Sequence, residues 1–167
     1  MTVDQFWQMI EQSRAAAERG EDPIAYLDKA IGALPPREMV SFEGNCWDLL
    51  SLSFRRELWA AAAIIEPACS QGAFDALRAW LILQGKEVFD RVVANPVRLA
   101  DCPPLRSTPW QTTGSRLLDL VPRNYQKATG EEMPTVPRKI PYVIKGPRWT
   151  EHELPEMYPE LWRKYRN

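Results

Sequence analysis

The stretch "FRRELWAAAAIIEPACS" (residues 54–70) decides how this chain is read. Eight residues without a polar side chain (58–65) follow directly on Arg55, Arg56 and Glu57. A buried strand would suit the length, but the centre is four consecutive alanines. Alanine is the strongest helix former and a poor strand former. The run is therefore read as a helix that is apolar on every side, and such a helix must be enclosed on every side. The charges before it mark the passage from surface to interior, the small alanines let neighbouring helices come close, and Pro67 ends the element.

Working outward, the flanking segments carry helical spacing. Thr2 with Gln5 forms a capping-box pattern, and Val3, Phe6, Trp7 and Ile10 then share one face until Gly20. Asp22-Pro23 opens a second helix, the aspartate as N-cap and the proline where its missing N–H does no harm. Ile24, Leu27, Ile31 and Leu34 form its stripe. Pro35-Pro36 stops that helix and starts a third, with Met39, Phe42, Cys46, Trp47, Leu50 and Phe54 on one face and Gly44 as a weak point of about 1 kcal/mol against alanine. Ser70 caps the next helix, on which Phe74, Leu77, Trp80 and Leu81 face inward. Gly85 breaks or bends it before the pattern continues through Val88, Phe89, Val92 and Val93 to Asn95-Pro96. Residues 101–113 read as a loop. A helix over 113–128 follows, interrupted at Pro122. Residues 130–149 read as irregular, with one short extended piece at Tyr142, Val143 and Ile144. Thr150 with Glu153 caps a short final helix.

These elements give an all-α fold, a single compact domain of seven or eight helices spanning 1–167. Residues 1–130 form the helical core, and 131–167 form a proline-rich, mostly irregular wrap with a short terminal helix. Ten of the fifteen prolines lie after residue 100, which is where the periodic pattern gives way.

Composition narrows the function classes. Apolar residues make up 45% and charged residues 26% of the chain, ordinary usage for a folded globular protein. The formal net charge of −1 provides no general attraction to nucleic acid or to an anionic membrane. Eight apolar residues fall far short of the roughly 20 that cross a bilayer, and the opening residues lack the apolar centre of a signal peptide. A cytoplasmic location is expected, also because Cys46, Cys69 and Cys102 are odd in number and lack CxxC spacing. With one histidine in the chain, no Cys/His metal site of ordinary spacing can be assembled, and no cofactor is expected.

No catalytic set stands out. His152, between Glu151 and Glu153, reads as a surface residue. No GxGxxG or GxxxxGK[ST] loop occurs. Glu57, Glu66 and Asp75 could pair as acid and base, but acids flanking apolar helices are ordinarily solvated ends. Cys69 reads as a packed thiol. The basic-aromatic interleaving of Arg138, Lys139, Tyr142, Lys145, Arg148 and Trp149 is too sparse to argue for nucleic acid.

Charge is unevenly placed. Residues 1–68 carry six Lys/Arg against eleven Asp/Glu, and residues 69–167 carry fifteen against eleven. Opposite patches steer association, so a basic protein partner would meet the acidic N-terminal helices at Glu21 and Asp22. The favoured reading is a non-enzymatic, cytoplasmic protein-interaction module, regulatory or immunity-like, supported by seven tryptophans, a residue type enriched at interface hot spots. The alternative is a small-molecule or nucleotide-binding enzyme with an Arg/carboxylate site at Arg55, Glu57 and Arg78. A convergent polar cluster in a deep pocket would favour the alternative, and a flat exposed aromatic patch the interaction module.

Residues 58–101, "LWAAAAIIEPACSQGAFDALRAWLILQGKEVFDRVVANPVRLAD", resemble the bacterial domain of unknown function family 4240. The resemblance rests on Leu58-Trp59-Ala60-Ala61, then Cys69-Ser70, then Phe74 and "RAWLI" (78–82). The opening "VDQFWQMIEQSR", "GEEMP" (130–134) and the ending "WTEHELPEMYPELWRKY" also fit. The family pattern has an acidic pair and a glycine directly after Cys-Ser, where this chain has Gln71, Gly72 and Ala73. The resemblance implies one compact helical domain and carries no activity with it.

Overall fold

The computed structural model describes residues 1–167 as nine α-helices with three short 3-10 turns: α1 (Val3–Glu18), α2 (Pro23–Gly32), α3 (Pro36–Leu52), α4 (Arg56–Ile65), α5 (Gln71–Leu83), α6 (Lys86–Ala94), α7 (Trp110–Thr129), α8 (Leu154–Met157) and α9 (Pro159–Arg166). There is no sheet. The one β-type pairing is a parallel bridge between Arg55 and Lys145, one residue past the extended piece expected at 142–144, which forms no strand. No helix is long and apolar enough to cross a membrane.

Helix starts follow local chemistry. Thr2 and Gln5 complete the capping box of α1, Asp22 accepts from Ile24 N at the start of α2, and Ser70 Oγ accepts from Ala73 N at the start of α5. Gln71 and Gly72 open α5 and are exposed.

Helix α4 is enclosed as its composition demands: Leu58 and all six residues from 60 to 65 are buried. Its cover comes largely from far along the chain. Helices α8 and α9, together with α5 and the 3-10 turn at Pro96–Asp101, pack around it, and Arg166 donates to the terminal carbonyls of Ile64 at 2.9 Å and Ala63 at 3.0 Å. Helix α7 packs against α5, α2 and α3. The α5–α7 crossing is close because Gly114 lies directly over the Ala76 carbonyl, where a Cβ would collide with backbone.

Gly85, expected to break or bend the helix, breaks it: at φ 95° it separates α5 from α6, a conformation that strongly favours glycine. Other boundaries differ from expectation. Helix α7 begins at Trp110, inside the expected loop, and runs unbroken through Pro122. Burial of Trp110, Leu117, Leu120 and Val121 against three neighbours outweighs the one hydrogen bond a proline removes. The tail holds a 3-10 turn and two helices, with Pro155 and Pro159 each at a helix start. Residues 130–150, hereafter the strap, cross α3, α4 and α5 without a helix or a fully buried residue. Gly44, a weak point by propensity, is where the strap comes close: a Cβ there would sit 3.3 Å from Val136 Cγ1.

Candidate functional site

The five residues proposed from sequence do not assemble. Glu21 pairs with Arg19 at 2.9 Å, and Asp22 both caps α2 and pairs with Arg116 at 2.6 Å. Arg55 donates to the Leu52 carbonyl at 3.3 Å. The Glu57 carboxyl rests against Gly146, with one buried oxygen lacking a partner. No hydrogen bond joins any two of Arg55, Glu57 and Arg78.

Arg78 is fully buried, and its partners are all internal. Its guanidinium donates to the Leu50 carbonyl, to Asp75 Oδ1, and to the Tyr142 hydroxyl at 2.7 Å. Tyr142 in turn donates to Asp75 at 3.2 Å. The ring centres of Phe54 and Phe74 each lie 4.7 Å from the guanidinium carbon of Arg78. Tyr142 stacks on Phe54 at 4.6 Å. Nε of Arg78 has no acceptor, and the ring faces offset that loss by cation–π attraction. Burial is the main reason the Tyr142 hydroxyl is held above its ordinary pKa. With its charge engaged by protein groups, Arg78 is a clasp that pins the strap to α5.

A different arrangement opens beside it. Between α3, the second half of α7 and the first part of the strap lies a cleft of about 620 Å³, lined by Glu43, Trp47, Arg123, Gln126, Glu132 and Arg138 among others. Glu43 sits at its base, only 7% exposed. On its inner side it borders a small apolar void among α3, α5 and α7 with Leu50, Ala79 and Ile82. Glu43 Oε1 accepts from Trp47 Nε1 at 3.0 Å, a contact helped by their i,i+4 spacing on one helix face. No protein donor reaches Oε2. Burial pushes the carboxyl up to about 7, against the opposing pull of the indole N–H and Arg138. A group that titrates near neutrality can accept a hydrogen bond as carboxylate or donate one as acid.

The cations of the cleft lie at its rim. The Arg138 guanidinium lies 4.3 Å from the Trp47 ring centre and 5.4 Å from that of Tyr142, and it makes no hydrogen bond or ion pair with protein. Arg123 shares Asp28 with Asn124, at 3.2 Å and 2.8 Å. Asp48 holds the strap just past Arg138 by accepting from Lys139 N at 2.8 Å and Ile140 N at 3.1 Å, which places the arginine over the indole.

Sequence reasoning missed Glu43 because an acid reads as a surface residue, although its position falls on the inward face of α3 with Met39, Phe42, Cys46 and Trp47. The available signal was its placement directly after Phe42 and one turn before Trp47. The other candidates are inert. Cys46, Cys69 and Cys102 are buried and unpaired, burial pushes Cys69 up to about 11, and His152 is exposed. No cluster of His, Cys, Asp and Glu suited to a metal ion occurs. Of the seven tryptophans, Trp7, Trp80 and Trp110 are buried and Trp47, Trp59, Trp149 and Trp162 are half-buried.

No curated protein and no solved structure matches the chain. A family described as "Protein of unknown function (DUF4240)" matches residues 1–137. The match covers Glu43, Trp47 and Arg123 and ends one residue before Arg138, so the tail motif of residues 149–165 lies outside it. With most of its length matched, the chain belongs to the DUF4240 family.

Proposed function

We propose that this protein is a ligand-binding domain whose working site is the cleft between α3, α7 and the strap. Glu43 carries the reading: a buried carboxyl with an oxygen free of protein donors, titrating near neutrality, at the base of a cavity of about 620 Å³. Buried groups with displaced pKa values in clefts of roughly 300–1,000 Å³ are the usual mark of a binding or catalytic site. The ligand is a small polar molecule, since the rim presents Arg123, Gln126, Glu132 and Arg138. Three unpaired thiols fit a cytoplasmic setting.

The test is thermal stability of the full chain against a panel of small carboxylates, phosphate esters and amines at millimolar concentration. Binding to the folded state raises the melting temperature. Thr135, exposed in the cleft wall, provides the control. At least one compound class should stabilise the wild type and not Thr135→Trp, which fills the cleft. Equal stabilisation of both proteins, or of neither, overturns the reading.

A second reading, a basic protein docked on the acidic N-terminal helices, is favoured by the charge split between residues 1–68 and the remainder. Because Asp22 caps α2 and pairs with Arg116, reversing it would damage the fold. Glu18→Lys with Glu21→Lys, both exposed, should slow association with such a partner. An unchanged on-rate at low salt refutes it.

A further inference from the structure

We propose that the ligand of the cleft is an oxyanion, a carboxylate or a phosphate ester, gripped by the guanidinium fork of Arg138 with Arg123 beside it. This rests on the cleft being the working site. Arg138 lies over the Trp47 ring and near Tyr142. A guanidinium placed against an aromatic face keeps its in-plane N–H groups free, and that fork matches the two oxygens of a carboxylate or phosphate. Here the fork has no protein acceptor. The two neighbouring arginines that contact protein acceptors differ from it: Arg78 is engaged on three sides, and Arg123 keeps only one partner, Asp28.

Glu43 decides the sign of the ligand's charge. Were it ionised, it would repel an oxyanion. Protonated, it places an O–H at the base of the cleft to donate to the anion while Oε1 keeps its bond from Trp47. The groups facing it are Cys46 on its own helix, Arg123 on α7, and Glu132 and Arg138 on the strap. Asp48 is occupied by the strap amides of Lys139 and Ile140. An anion arriving between Glu43 and Arg138 raises the carboxyl pKa further, so binding takes up a proton and strengthens as pH falls. A cationic ligand would do the reverse, releasing the proton and binding more tightly as pH rises.

The experiment follows the Trp47 indole N–H resonance in the full-length ¹⁵N-labelled protein, at constant ionic strength. The probes are inorganic phosphate, succinate and tetramethylammonium at pH 7, with sulfate, whose charge does not change in this range, from pH 6 to pH 8. Saturable shifts are expected with phosphate, succinate or both. The arm that binds identifies the source as phosphate ester, carboxylate or oxyanions in general. Sulfate affinity should fall at least fivefold from pH 6 to pH 8. Arg138→Ala should weaken oxyanion binding at least tenfold, and Arg138→Lys should recover only part of it. Glu43→Gln, which cannot ionise, should remove the pH dependence. Saturable binding of tetramethylammonium without the oxyanions overturns this proposal and leaves the cleft as a binding site. Oxyanion binding that is insensitive to Arg138→Ala also overturns it. Silence to every probe overturns it, and the cleft reading then stands or falls on the Thr135→Trp comparison.

Discussion

Helix α5 and the strap that crosses it meet at Arg78, yet they are stabilised in opposite ways. Nine of the thirteen residues of α5 are buried, and its glycine-mediated contact with α7 leaves no room for an added carbon. The strap has no buried residue. It is held at discrete points: the Asp48 carboxylate on two of its amides, Tyr142 in the Arg78–Asp75 clasp, Lys145 paired with Phe54 and Arg56, and Trp149 donating to the Arg56 carbonyl at 2.7 Å. Non-directional burial tolerates no unpaired charge and is cooperative. Point attachments can release one at a time, and segments of that kind open at lower free energy than the core. The cleft lies where the two regimes join, with one wall from α3 and α7 and the other from the strap.

The largest effect should come from violating the core. Ala62 is 1% exposed, so Ala62→Asp places an unpaired carboxylate among apolar helices, costing several kcal/mol against a total of roughly 5–15. Gly114→Val forces α7 off the Ala76 carbonyl. Both variants should fail to fold, as read by circular dichroism, and a melting temperature unchanged for either would mean that α4 or the α5–α7 crossing is not part of one cooperative core.

Arg78→Met tests the join. It keeps the apolar contacts with Phe54 and Phe74 but leaves the Leu50 carbonyl without its donor and Asp75 with the Tyr142 hydroxyl alone, and should cost about 3 kcal/mol by denaturant unfolding. A loss below about 1 kcal/mol would make the aromatic packing, rather than the charge, the source of the clasp.

Glu43 gives a pH test. Its pKa is about 7 in the fold against about 4.3 in an unfolded chain. The fold therefore holds this proton more tightly than the unfolded state does. The resulting stabilisation is complete below pH 4.3 and is lost as pH rises towards 7. Relative to wild type, Glu43→Gln should gain about 3 kcal/mol between pH 4 and pH 8. Parallel stability curves for the two proteins would show that Glu43 ionises freely.

Gly146→Ala should act on the strap alone. Gly146 has φ 96°, and an added Cβ would run into the Glu57 carboxyl. Faster amide exchange is expected across residues 140–150 with little change in α5 or α7. Exchange that rises through the whole domain would merge the two regimes into one. Smallest of all should be the native reactivity of Cys69, whose thiol burial pushes up to about 11. Alkylation at neutral pH should be slow in the fold and rapid once unfolded, and fast labelling of the native protein would show that the α4–α5 turn opens easily.

Much of the fold was legible in local chemistry. The apolar run over 58–65 with its four alanines, the capping pairs at Thr2 and Thr150, Asp22 and Ser70 at helix starts, and the break at Gly85 depend on neighbours a turn away, so their signal lies within short windows. Pro122 was misread for the complementary reason: whether a helix survives a proline depends on what packs against it, and α2, α3 and α5 are distant in sequence. The start of α7 at Trp110 was hidden likewise, since Pro109 provides no side-chain cap.

By itself the sequence determined an all-helical domain, an enclosed central helix and a proline-rich wrap, because periodicity, propensity and capping are local properties of the chain. Only the tertiary structure decided that α8 and α9 cover α4, that Arg78 is spent on a clasp rather than offered to a substrate, and that Glu43 shares a cleft with Arg138, ninety-five positions later. Those outcomes depend on burial. A carboxyl on a helix face reads the same in sequence whether water or protein lies above it, and its pKa, partners and chemistry follow from which of the two is there.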